Sequence, residues 1–279
     1  MTVQNIMTYV PTKYQVLVYG QSGTGKTTFG ASWAKAVQGP ALSGKGGILF
    51  LDSDEGIISI ITAPPNVITD DMKKHIFHAP IIEYPPEAKT PQGYLTVQKA
   101  IDSIADTGEY EGCRPHTIVL DSITTLSEMI LNHVVRMNGR VEPVLKDWGQ
   151  QMDKITKLIN RARGIQDVNF IAVAHEQYTK DEMSGRIWCL PMVTGKLAPK
   201  IGLYFDEVYH TTVFQKGDKH EYVMHTKATG LITAKSRFNL PSPCPTTFLS
   251  LKGKIEDLQK RAKALQDAED KQLWPDKPN

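Results

Sequence analysis

The sequence predicts an α/β fold, a three-layer sandwich around a mostly parallel central sheet. Three observations predict it. A complete G-x-x-x-x-G-K-[ST] loop spans Gly20–Thr27, with an apolar strand before it and a helical pattern after it. Further apolar runs at Gly47–Leu51, Thr117–Leu120 and Asn169–Ala174 read as buried strands. Between the runs lie helical patterns, and strands alternating with helices imply βαβ crossovers.

Length and composition bound the rest. A chain of 279 residues suits one large α/β domain or one domain with an appendage. The expected division is an N-terminal arm over 1–12, a core over 13–250, and a charged helix and tail over 251–279. A net charge of +2 neither demands nor excludes nucleic acid, so any basic surface is local. The three cysteines, Cys113, Cys189 and Cys244, are far apart and lack C-x-x-C spacing. That fits a reducing compartment and argues against both a disulfide scaffold and a zinc site. With no secretory leader pattern and no apolar run of membrane-spanning length, the expected location is the cytoplasm and no membrane partner is expected.

In chain order, the first strand is Gln15–Tyr19, and it runs into Gly20-Gln21-Ser22-Gly23-Thr24-Gly25-Lys26-Thr27-Thr28. Glycines let the backbone curl so that successive N–H groups face anionic oxygens, and the dipole of the next helix, Thr28–Val37, adds to the same site. Lys26 is placed to reach the β- and γ-phosphates, and the Thr27 hydroxyl to ligate Mg²⁺. A nucleoside triphosphate, ATP or GTP, is the implied ligand.

The second strand, Gly47–Leu51, is tipped by Asp52-Ser53-Asp54-Glu55-Gly56. Hydrolysis needs a carboxylate that orients or deprotonates water, and Asp54 and Glu55 are both candidates; Asp52 is expected to stabilise the strand end. A solvated acidic turn is the plainer alternative. Ala63–Asn66 and Tyr84–Thr90 read as surface loops, followed by a helix over Gly93–Thr107. Thr117-Ile-Val-Leu-Asp121 then delivers a second acid beside the phosphate loop, as Mg²⁺ coordination requires, unless Asp121 merely caps the next helix.

Helices are predicted over Ile123–Val135 and Trp148–Arg163, joined by Arg136–Lys146, a stretch read as a mobile functional loop. The strand Asn169–Ala174 ends in His175, which could sense a γ-phosphate or serve as an ordinary structural histidine. Glu176–Lys200 is read as a second long functional loop, and Val208–Phe214 and Glu221–Thr226 as later strands. Lys235 and Arg237 stand two residues apart, so in an extended chain both project to one side and could touch one polyphosphate. Supplied by a neighbouring subunit they would stabilise charge on a transferring phosphoryl group; a solvated basic turn is the alternative. Leu240–Thr246, with three prolines, closes the core before a charged helical tail.

Together these pieces resemble the RecA-like recombinase and helicase superfamily, and more narrowly the phage RecA-core ATPases that include single-strand annealing proteins. The narrower resemblance rests on VYGQSGTGKTT, VAHE, TGKLAPKIGLYFDEVYH and AKSRFNLP, and covers about residues 12–250. It implies a RecA-like P-loop NTPase fold and Mg-ATP hydrolysis, with Asp121 as the Walker B aspartate. It also implies His175 as sensor, and Lys235 and Arg237 as a pair acting in trans within a homo-oligomeric ring or filament. The family's D-x-E pattern falls on Asp52-Ser53-Asp54, with Asp where Glu is usual and Glu55 next to it, so either acid fits the catalytic position.

The resemblance further implies single-stranded DNA as partner, with a single-strand-binding protein as a candidate companion and the host cytoplasm as location if the gene is a phage's. The loops that would face DNA carry Arg136, Arg140, Lys146 and Trp148, then Lys180, Arg186, Trp188, Lys196 and Lys200. Cations interleaved with aromatics suit single strands, although Glu142, Asp147, Asp181 and Glu182 dilute the field. From these, Arg140, Arg186, Lys196 and Lys200 are the expected DNA contacts. The expected activity is ATP-dependent recombination by annealing or pairing. A DnaB-like translocase or helicase motor and a KaiC-like switch acting on protein partners remain open.

Overall fold

The computed structural model describes residues 6–7, 9–38, 46–83 and 91–273. Among the described residues ten strands are present: β1 (Gln15–Gly20), β2 (Ile48–Asp52), β3 (Ile76–Pro80), β4 (Thr117–Asp121), β5 (Asn169–Ala174), β6 (Glu176–Lys180), β7 (Ile187–Pro191), β8 (Glu207–Lys216), β9 (Lys219–His225) and β10 (Cys244–Pro245). The helices are α1 (Lys26–Ser32), α2 (Ile57–Ile61), α3 (Asp70–Lys73), α4 (Gly93–Thr107), α5 (Ile123–Met137), α6 (Leu145–Gly164) and α7 (Leu249–Leu273). The eight-stranded sheet runs β10-β9-β8-β1-β5-β4-β2-β3, parallel from β8 to β3 and antiparallel at the β9 and β10 end.

Alternation along the buried strands builds the two cores. Leu17, Tyr19, Leu49, Leu51, Ile118 and Leu120 face one side, where α4, α5 and α6 cover them. Val16, Val18, Ile48, Phe50 and Val119 face the other, against Phe29, Trp33 and Leu251 of the opposite helical layer. A period of two on strands buried on both faces gives near-continuous apolar runs, and helices on both faces follow. The result is a three-layer α/β sandwich around a mostly parallel central sheet.

Helix ends obey local chemistry. Ser122 caps α5 by accepting the Thr125 N–H, and Gly108 ends α4 in a left-handed turn. Asp147 reaches back to the Val144 N–H at 2.9 Å to start α6, and the same buried carboxylate accepts from Asn138 and Arg140. Three partners on one buried acid make the α5–α6 connection an ordered corner. The predicted mobile loop Arg136–Lys146 is therefore shortened at both ends, α5 extending to Met137 and α6 starting at Leu145.

Other differences have equally local causes. The helix expected to Val37 is α-helical only to Ser32 and continues as a 3-10 helix over Trp33–Gln38. β3 escapes an apolar-run reading because it is an edge strand, half exposed and ending in Pro80, hydrogen-bonded to β2 alone. Most of the stretch read as the loop Glu176–Lys200 is the antiparallel hairpin β6–β7 followed by short 3-10 turns. Its Gly185 (φ 68°) sits in the turn, where Asp181 accepts the Met183 and Ser184 amides, and Pro191 only ends β7. The predicted loop Tyr84–Thr90 lies outside the described residues. No helix among the described residues is long and apolar enough to cross a membrane.

Candidate active site

Parallel strands bring their carboxyl ends to one edge, and the phosphate loop, Asp54, Asp121 and His175 gather there. Gly20 pairs with Thr211 across β1 and β8, and Asp52 with Asp121 across β2 and β4. A Cβ at Gly20 would lie 2.5 Å from the Thr211 carbonyl oxygen, so only glycine fits that close approach. Gly23 and Gly25 hold φ of +78° and +86°, which curls the loop. The Thr24 hydroxyl lies 2.8 Å from the Gln21 carbonyl and 2.7 Å from the Thr211 hydroxyl, fixing the loop to β8. Gln21 and Ser22 are exposed on its crest, and Thr27 and Thr28 are half-buried at its base.

Lys26 is buried, and its ammonium donates to the Gly20 and Gln21 carbonyls at 3.0 and 2.6 Å. Burial pulls its pKa down, while Asp121, Glu176 and Asp54 pull it back up. A desolvated cation beside a curled glycine backbone is a fit for a polyphosphate. The Thr27 hydroxyl donates to Asp121 Oδ2 at 2.6 Å. Two hard oxygen donors at that spacing suit Mg²⁺, which takes one or two protein oxygens and keeps its waters. Gly56 keeps the space open: a Cβ there would lie 3.0 Å from Asp121 Oδ2 and 3.1 Å from the Thr27 hydroxyl.

Burial raises the Asp121 carboxyl to about 6; the Thr27 hydrogen bond opposes this, and the nearby Asp54 and Asp52 charges reinforce it. Protonation therefore favours the ligand-free fold. The stability it contributes is fully present below the unfolded value of 3.8 and is lost as pH rises through about 6. A rise of that size from 3.8 corresponds to about 3 kcal/mol at most. Asp121→Asn is accordingly expected to unfold at a higher temperature than wild type above about pH 6 and to converge with it near pH 4. Thermal melts across that range check this, and superimposable curves at every pH would contradict it.

Of the two candidate acids, only Asp54 enters the constellation. Its Oδ2 lies 3.2 Å from His175 Nε2. Burial alone would raise the Asp54 carboxyl, but hydrogen bonds from His175, Thr125 and Ser122 outweigh it and hold the group at about 2. So low a value makes Asp54 a weak base, suited to orienting water more than deprotonating it. Glu55 is exposed and takes φ 56° at the turn. Asp52 accepts the amides of Asp54, Gly56 and Ile57 and meets His78, closing the strand end as expected.

Sequence reasoning missed Glu176. It follows His175 directly, and its buried carboxylate meets His210 Nε2 at 2.7 Å and the Tyr178 hydroxyl at 3.0 Å, with Gln21 of the phosphate loop bonded to it as well. Its partner on β8 is 34 residues away, a pairing that only the sheet order creates. Tyr222 of β9 was missed too; a Cβ on Gly25 would lie 3.3 Å from its ring, so the β8–β9 hairpin shoulders the loop.

The remaining predicted residues lie elsewhere. Lys235 pairs with Val208 near the start of β8, three residues before Thr211 and so roughly 10 Å along the strand from the loop. Arg237 is exposed and pairs with Asp206 at that same far end. Within one chain neither approaches the phosphate loop. Arg140 is held by Asp147, whereas Arg186, Lys196 and Lys200 are exposed. Arg186 lies over the Trp188 ring, 3.7 Å from its centroid, on the outer end of the hairpin.

The profile of the AAA domain family matches residues 12–238. No curated protein matches the chain. The flagellar accessory protein FlaH from Methanocaldococcus jannaschii is similar at a TM-score of 0.40 and 14% identity, over 77% of this chain and 78% of that one.

Proposed function

The chain belongs to the AAA domain family, and from that premise, a P-loop NTPase, we propose that it is an ATP-dependent DNA recombination protein. In this reading it binds single-stranded DNA, promotes annealing or pairing, and completes its Mg-ATP site between subunits. The observation that carries the reading is the cluster of Lys26, Thr27, Asp54, Asp121 and His175 at one sheet edge, with Lys235 and Arg237 at the other. Bound Mg-ATP would supply the phosphoryl group to be transferred. Lys26 would neutralise phosphate charge, Thr27 and Asp121 would hold the ion, and Asp54 with His175 would orient water. Arg237 is too far to serve its own loop, which supports a role across an interface in a ring or filament.

DNA contact is supported by the hairpin. Arg186 stacked on Trp188 offers a cation and a flat ring together, and Lys196 and Lys200 add exposed cations in the segment that follows β7. Arg186→Ala combined with Lys196→Ala is expected to weaken single-strand affinity and to lower the salt slope by about 0.7 per lost phosphate contact, leaving ATP affinity intact. Binding titrations at several salt concentrations, read beside ATP turnover with and without single-stranded DNA, test the reading. Unchanged DNA affinity in the double variant, or turnover indifferent to DNA, would remove DNA from it.

A further inference from the structure

Three strands bring one carboxylate, one thiol and one imidazole together beside the phosphate loop. Glu176 begins β6, Cys189 lies in β7 and His210 in β8. Cys189 Sγ is 3.6 Å from both Glu176 Oε2 and His210 Nε2, which are 2.7 Å from each other. All three side chains are buried, and their donor atoms lie within 4.8 Å of one another. Zn–S and Zn–N bonds of ordinary length in a tetrahedron separate their ligand atoms by about 3.5 Å. Both sulfur separations already match. The His210–Glu176 distance is a hydrogen bond's, and opening it by roughly half an ångström would admit an ion.

We propose that Glu176, Cys189 and His210 form a Zn²⁺ site that fastens the β6–β7 hairpin to the central sheet, with a water as fourth ligand. Thiolate plus imidazole selects zinc-like metals, whereas the all-oxygen pair Thr27 and Asp121 selects Mg²⁺. Binding releases the Cys189 thiol proton, and ligation through Nε2 leaves the ring proton of His210 on Nδ1. Burial pushes the thiol up to about 12, so in the metal-free site it stays protonated, and a coordinating ion removes that proton outright. His210 Nδ1 is buried without a hydrogen-bond partner among the described residues, so that atom can carry the ring proton while Nε2 faces Cys189 and Glu176. The wide separation of the cysteines in sequence argued against zinc; the site escapes that argument because it draws one ligand from each of three strands.

The test is a Co²⁺ titration of the full-length chain, stripped by chelator, with Mg²⁺ in excess to occupy the oxygen site. One equivalent of Co²⁺ is expected to bind with a thiolate-to-cobalt charge-transfer band and intense visible bands of tetrahedral cobalt, and Zn²⁺ should bleach both. Cys189→Ser should abolish the charge-transfer band and weaken binding by about tenfold or more. Cys113→Ser and Cys244→Ser should leave the spectrum unchanged. Absence of the band in the wild-type chain, or its survival in Cys189→Ser, would overturn the site. The wild-type titration decides even where a variant fails to fold.

Discussion

Lys26→Ala is expected to lower ATP turnover by on the order of a thousandfold and to weaken nucleotide binding with it. The side chain is buried, and Asp54, Asp121 and Glu176 all act on its charge. Without the ammonium those carboxylates face an incoming polyphosphate uncompensated, so the loss includes repulsion as well as a missing contact. The ligand-free fold should change little, because burial already penalises the charged ammonium, as its lowered pKa records. Steady-state hydrolysis and nucleotide titration, with a thermal melt as control, check the expectation. Wild-type turnover in the variant would end the assignment of this loop as the phosphate site.

Arg237→Ala is expected to spare nucleotide binding while lowering turnover by about a thousandfold or more, the range of an arginine finger. In its own chain Arg237 makes an exposed ion pair with Asp206, and surface pairs of this kind contribute at most about 1 kcal/mol. A large kinetic loss would therefore come from a neighbour's site and not from unfolding. Mixing separates the two causes. Lys26→Ala subunits keep Arg237, and Arg237→Ala subunits keep Lys26, so hybrid interfaces should regain activity that neither variant has alone. Failure of every mixing ratio with assembly intact would show that Arg237 does not act in trans.

The residues legible in the sequence were those whose chemistry is written into a local pattern. The glycine spacing of Gly20–Gly25 and the apolar run ending in Asp121 announce themselves, because curling a backbone and burying a strand need particular residue types in order. The choice of Asp54 over Glu55 was not legible, since it depends on which acid the turn after β2 carries toward His175. Glu176 was hidden by the sheet order, which sets β8 within reach of the β6–β7 hairpin. Gly56 was hidden because its part is the absence of a side chain. The β6–β7 hairpin was not legible either, since Gly185 and Pro191, residues that usually break structure, stand in its turn and at its strand end.

One residue, His175, separates the end of β5 from the start of β6. Its ring touches Asp54, its amide donates to the Thr124 hydroxyl, and its carbonyl accepts from Met192. The next side chain, Glu176, reaches His210 and Gln21. A joint this short has no slack. The hairpin that carries Arg186 and Trp188 at its outer end is thus tied at one side to the Asp54 end of the site through His175, and at the other to Leu231 and Thr233 through Cys189.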